Sequence, residues 1–158
     1  MGKTNIIASP GSQTIHTERE FAAPAELVYR AYTEPDLLTQ WLGGSERTMV
    51  IDVYEVQDGG RWRYVHTEKD GVEYGFHGVF HGSQSLDRGI TQTFEYEGWP
   101  GQVALEKVIF EEHAGRTLVR VLSVYQSVEA RDAMIESGME DGLNEGYDAL
   151  ETLLQTLS

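Results

Sequence analysis

Alternation of apolar and polar residues dominates the middle of this chain, and helical spacing governs the segments around it. Gln13-Thr14-Ile15-His16-Thr17-Glu18-Arg19-Glu20-Phe21 alternates as a strand does, after a loose arm over residues 1–12 that carries Ser9-Pro10-Gly11-Ser12. Pro24 then opens a helix, with Glu26 facing the positive end of its dipole and Leu27, Val28, Ala31 and Tyr32 forming its apolar stripe. Glu34-Pro35 breaks that helix, because the residue before proline is pushed out of the helical region. A short second helix follows, with Leu37, Leu38, Trp41 and Leu42 on one face and Gly43-Gly44 at its end.

From there the period switches to two. The segments 48–56, 61–66, 73–82, 90–97, 103–111 and 117–126 are rich in β-branched and aromatic residues. Turn residues separate them: Asp58-Gly59-Gly60, Asp70-Gly71, Asp87-Arg88-Gly89, Gly98-Trp99-Pro100-Gly101 and Ala114-Gly115. Connections this short make the strands antiparallel, since a parallel crossover needs a dozen or more residues. The final thirty residues return to helical spacing. Ser127 is placed to cap a helix whose first turn holds Glu129 and Asp132, and Met139, Leu143, Gly146, Leu150, Leu153, Leu154 and Leu157 follow its stripe. About six to seven strands, two short helices after the first and one long terminal helix make an α+β domain over residues 13–158.

Three glycines complicate that last helix. Gly138, Gly142 and Gly146 are four apart, so they share one side, and each interior glycine costs about 1 kcal/mol relative to alanine. Bare backbone leaves room for a ligand between helix and sheet, or admits a bulky strand residue such as Trp62, or marks a kink. The aromatic residues face the same choice. Trp62, Tyr64 and His66 share one strand face; Tyr74, Phe76 and Phe80 share another, with a gap at Gly78. Such a wall suits either a small-molecule cavity or an ordinary core.

Catalytic and metal motifs are scarce. His77 and His81 are about 13 Å apart on a strand, beyond joint ligation of one ion, and His16, His66 and His113 are isolated in sequence, so no metal or other cofactor is expected. No nucleophile elbow, phosphate loop or dinucleotide fingerprint is present. The pairs Glu95/Glu97 and Glu111/Glu112 are expected at solvated strand edges.

Composition narrows the partners. The chain has 26 acidic residues against 12 basic ones, a net charge of −14, which opposes nucleic acid and anionic membranes. Cysteine is absent, which removes disulfides and thiol chemistry. With no signal-like apolar region and no run of about 20 apolar residues, a cytoplasmic location is expected. At 158 residues one domain is the prior, and about 68–70% of the unfolded surface can be buried without staples.

Several stretches carry a resemblance. They are Phe21-x-Ala-Pro-x-Glu-Leu-Val-Tyr-x-Ala-x-Thr-x-Pro running to Thr39-Gln40-Trp41-Leu42-Gly43, Gly59-Gly60-Arg61-Trp62-Arg63-Tyr64-Val65, and Asp70-Gly71-x-Glu73-Tyr74. Gln92-Thr93-Phe94-Glu95-Tyr96-Glu97-Gly98, Glu129-Ala130-Arg131-Asp132 and Ser137-Gly138-Met139-Glu140-x-Gly142 complete the set. Together, over about Gln13 to Leu157, they resemble homologues of the C-terminal domain of the activator of the ninety-kilodalton heat-shock protein ATPase, within the START-like (SRPBCC) superfamily. The resemblance implies a helix-grip fold: a curved antiparallel sheet around a long C-terminal helix, with a deep, mostly apolar cavity between them. The eukaryotic activator carries a separate N-terminal domain that grips the chaperone, and nothing before Gln13 supplies one, which puts chaperone stimulation in doubt.

Fold alone does not settle activity, so three functions stay open. The leading one is binding of a small apolar or aromatic molecule, with Trp41, Trp62, Tyr64, Phe76, Phe94, Met139 and Tyr147 as lining residues and His66 and Tyr74 as polar orienters. A protein-interaction module acting on a chaperone or on a second copy of itself is the next. The third is a cyclase- or hydrolase-like enzyme using His66 or a cavity carboxylate as base, a reading that an inward histidine or glutamate with a shifted pKa would strengthen.

Overall fold

The computed structural model describes residues 3–44 and 46–157, so Met1 and Gly2 of the expected arm, with Ser45 and Ser158, lie outside the described residues. Eight antiparallel strands form one curved, unclosed sheet. They are β1 (Asn5–Ile7), β2 (Thr14–Phe21), β3 (Thr48–Tyr54), β4 (Arg61–Thr67), β5 (Glu73–Val79), β6 (Ile90–Tyr96), β7 (Val103–His113) and β8 (Arg116–Val124). Their spatial order is β1-β2-β8-β7-β6-β5-β4-β3, so only β2 departs from a simple meander, by pairing with β8.

Eight strands exceed the expected six to seven. The additional one is β1, inside the segment read as a loose arm: Asn5, Ile6 and Ile7 pair with Glu18, Thr17 and His16. Its three residues are too few to show alternation, and its edge position needs no buried face. The buried Arg131 also ties the arm down, donating to the carbonyls of Ser9 at 2.9 Å and Thr14 at 3.2 Å.

Two helices follow β2. Helix α1 (Ala25–Thr33) starts after Pro24, and no side chain of its own caps it. The Ala25 N–H instead donates to Glu112 Oε1 of β7 at 2.7 Å. Glu112, expected as a solvated carboxylate, therefore joins helix to sheet. Helix α2 (Pro35–Leu38) is a single turn with proline at its start; the chain then turns through Trp41, whose indole N–H donates to the Ala31 carbonyl at 2.9 Å.

The C-terminal helix is not continuous. Helix α3 (Val128–Glu136) is capped by Ser127, whose side chain accepts from the Ala130 N–H at 3.0 Å, and α4 (Met139–Leu157) begins three residues after α3 ends. Gly138 sits between them with φ of +88°, a left-handed conformation that side chains resist. Gly138 is thus the break, not an interior glycine.

The core lies between the concave sheet face and α1 and α4. Phe21 of β2 meets the Tyr147 ring of α4 edge-on at 5.3 Å, and Val28, Leu150 and Val119 are fully enclosed nearby. Arg19 is 2% exposed; its guanidinium lies 5.5 Å from the Phe21 ring centre and 5.7 Å from that of Tyr147 and pairs with Asp148 at 2.8 Å. On β7, Ala104, Val108 and Phe110 turn inward while Leu105 and Ile109 stay exposed on the convex side.

Candidate functional site

Toward one end of the grip the core gives way to a cavity of about 560 Å³, bounded by β4–β8 and the α3–α4 corner. That lies within the roughly 300–1,000 Å³ usual for small-molecule sites. Its wall follows from strand alternation. Tyr64 and His66 on β4, Tyr74 and Phe76 on β5, and Phe94 and Tyr96 on β6 each turn the same face inward, two residues apart. The rings touch in sequence: Tyr64 to His66 at 5.0 Å, Tyr64 to Phe76 at 5.5 Å, Phe76 to Phe94 and to Tyr96 at 5.4 Å, and Tyr74 to Tyr96 at 6.1 Å. Met134 and Met139 close the wall from the helices, and Trp99, 46% exposed in the β6–β7 hairpin, stands at the rim.

Six of the nine expected residues meet there: Tyr64, His66, Tyr74, Phe76, Phe94 and Met139. The other three do not. Trp41, Trp62 and Tyr147 are each 2% exposed and belong to the core behind the cavity. Trp62 stacks on Tyr64 at 5.1 Å and fills the gap at Gly78, whose added Cβ would lie 2.7 Å from the indole. Trp41 and Tyr147 stack on each other at 6.4 Å under α1. Alternation tells which way a strand side chain such as Trp62 points but not how deep the hollow extends.

The three glycines part company as well. A Cβ on Gly142 would meet nothing within 4 Å, and this glycine borders the cavity. A Cβ on Gly146 would lie 3.4 Å from the Trp41 carbonyl oxygen and 3.6 Å from the Gly43 nitrogen, so the α4 backbone packs closely there. Open space, close packing and the helix break each account for one glycine.

His66 is the polar feature of the wall. Its Nε2 is buried and has no hydrogen-bond partner among the described residues. Burial, aided by the Arg47 guanidinium, lowers its pKa to about 4, so the ring is neutral near pH 7. Gly43 makes this position possible: its φ is +90°, and a Cβ there would lie 2.8 Å from the imidazole. Arg47, at the rim, donates to the Gly43 carbonyl at 2.9 Å and pairs with Glu68 at 2.9 Å and with Glu145 of α4 at 3.4 Å.

Sequence reasoning missed Tyr96, Trp99, Tyr125, Arg47 and Glu68. Tyr96 was detectable, as it shares the Phe94 face of its strand. Arg47 and Trp99 lie in connections, where periodicity says nothing.

Polar groups on the convex face have other work. Glu97 accepts from Arg63 Nε and Nη2 at 2.8 Å each and lies 2.9 Å from His77 Nδ1. Those contacts, led by Arg63, hold its carboxyl down at about pKa 2. Among the described residues, no three His, Asp or Glu side chains are arranged to hold a metal ion, and no helix is long and apolar enough to cross a membrane.

Residues 22–155 match the family model described as Activator of Hsp90 ATPase homolog 1-like protein. Comparison with curated proteins returns no similar sequence. Among solved structures, the crystal structure of a Rhodobacter sphaeroides protein is similar at 28% identity and a TM-score of 0.86, covering 98% of this chain and 99% of that one. An Arthrobacter aurescens protein solved by NMR shares 22% identity with a TM-score of 0.86, over 96% of this chain and 91% of its own. A Mycobacterium smegmatis crystal structure shares 21% identity with a TM-score of 0.85, over 95% of each chain. At those two identities the likeness is one of fold.

Proposed function

This chain belongs to the activator of Hsp90 ATPase homolog 1-like family, and from that premise we propose that it binds a small apolar or aromatic molecule in the cavity between its sheet and its C-terminal helices. The observation that carries this reading is the unbroken ring wall from His66 to Tyr96 facing open space at Gly142. A guest burying about 200 Å² of apolar surface would gain roughly 5 kcal/mol before the entropy of association is subtracted. Flat guests suit the wall best, because offset or edge-on ring pairs add to area burial.

The polar role belongs to His66. Its buried Nε2 lacks a partner among the described residues, so a guest that supplies one relieves the cost of leaving a buried polar atom unpaired. With a pKa of about 4 the same ring is a weak proton acceptor at pH 7, which favours holding a guest over reacting with it.

Native mass spectrometry of the protein purified from its own cells tests the reading, with Gly142→Trp as the filled-cavity control. The expected result is a co-purified small molecule on the wild type that the variant lacks. Equal occupancy of both proteins, or none on either together with no change in Trp99 fluorescence on adding naphthalene-sized guests, would overturn it.

A further inference from the structure

One ionisable group, half-buried, lies deeper than the ring wall. Across β6, β7 and β8 the inward residues form layers: Phe94, Ala104 and Tyr125 border the cavity, and Gln92, Glu106 and Ser123 come one layer further in. Glu106 Oε1 accepts from Gln92 Nε2 at 3.0 Å and Oε2 accepts from Ser123 Oγ at 3.4 Å. None of the ion pairs formed among the described residues includes Glu106. A carboxyl held in the middle of a sheet without a countercharge is costly, and burial pushes its pKa up. Its charge acts on Tyr32 of α1, Tyr64 of β4, Tyr125 just after β8 and Tyr147 of α4.

Such a group is unusual unless it is used. Several other carboxylates of this chain pair with cations: Glu97 with Arg63, Glu111 with Arg120, Glu68 with Arg47. Glu106 keeps two neutral donors, and its neighbours are aromatic rings. A ring-lined hollow with a carboxyl that pairs with no cation among the described residues, one layer beyond its lining, fits an organic ammonium group, which gains from ring faces and from a charge-assisted hydrogen bond together. The rim guanidinium offers little repulsion, since Glu68 and Glu145 already neutralise Arg47. The net charge of −14 draws cations toward the molecule.

We propose that Glu106 forms a deep anchoring subsite for a protonated amine, so that the guest of this cavity is an aromatic or apolar amine lying with its body on the ring wall and its ammonium group at the Glu106 carboxyl. The proposal rests on the cavity reading above and goes beyond it by naming the chemical class of the guest.

Matched probes separate the two ideas. Calorimetric titrations with 2-naphthylmethylamine and its neutral isostere 2-naphthylmethanol are run on the wild type and on Glu106→Gln at neutral pH. The expected result is an amine preference of at least about tenfold in the wild type, falling to near parity in Glu106→Gln while the alcohol binds both proteins alike. The unchanged alcohol affinity also shows that the variant is folded; the wild-type preference is a test that needs no variant. Equal affinity of amine and alcohol for the wild type, or a preference that survives Glu106→Gln, overturns the subsite and leaves the cavity reading intact. Absence of binding by both probes overturns the cavity reading and the subsite with it.

Discussion

His66 pays for its place in the wall with a depressed pKa, and that has a measurable consequence. Its folded pKa of about 4 lies below the ordinary histidine value, so the unfolded chain binds more protons than the folded one between the two. This contribution to stability is complete above about pH 6.5 and is lost as pH falls toward 4. Urea unfolding at pH 7 and pH 5 should show the wild type weakened at pH 5, and His66→Phe should lose part of that dependence. Glu97, held at about 2, loses its contribution only below the ordinary glutamate range, so the two windows separate. The helix glycines offer a second contrast. Gly142→Ala should stabilise by about 1 kcal/mol, since helix propensity improves and the new Cβ meets nothing. Gly138→Ala should destabilise by about 1–2 kcal/mol, because φ is +88° there. Thermal melts of the two variants that moved in the same direction would contradict the separate roles assigned to these glycines.

Joints between elements carry the same logic. Helix α1 has no cap of its own, and its first N–H depends on Glu112 from a strand far along the chain. Glu112→Ala should cost about 1 kcal/mol, the usual effect of losing an N-cap acceptor, and hydrogen exchange should quicken first at the start of α1. Uniform loss of protection would argue against a local cap. These joints also explain what could be read in advance. Seven strands and both short helices announced themselves through alternation, Pro24, Glu34-Pro35 and Gly43-Gly44, all local signals. Strand β1 did not, because pairing with β2 across the intervening turn leaves no periodic mark on three residues. The α3–α4 break hid inside a continuous helical stripe, since Gly138 reports left-handed backbone only once its φ is known. The cavity wall was half legible for a related reason. Strand faces follow from spacing, whereas the boundary between core at Trp62 and hollow at Tyr64 depends on how α4 sits over the sheet.

The molecule taken entire is a sheet that grips a helix at one end and stands away from it at the other. At the filled end Phe21, Arg19, Trp41 and Tyr147 lock β2, the α2 turn and α4 together. At the hollow end the sheet faces the α3–α4 corner together with Leu42, Gly43 and Arg47, with Gly142 bare and Trp99 at the rim. Packing and open space therefore lie at different ends, so under the proposed binding function a guest enters without unpacking the core. Intermolecular NOE spectroscopy of the protein saturated with 2-naphthylmethanol tests this most directly. The predicted result is contact between guest protons and Tyr64, Phe76, Phe94 and Met139, with none to Trp41 or Tyr147. Guest contacts confined to the convex residues Leu105 and Ile109, with the ring wall untouched, would contradict it.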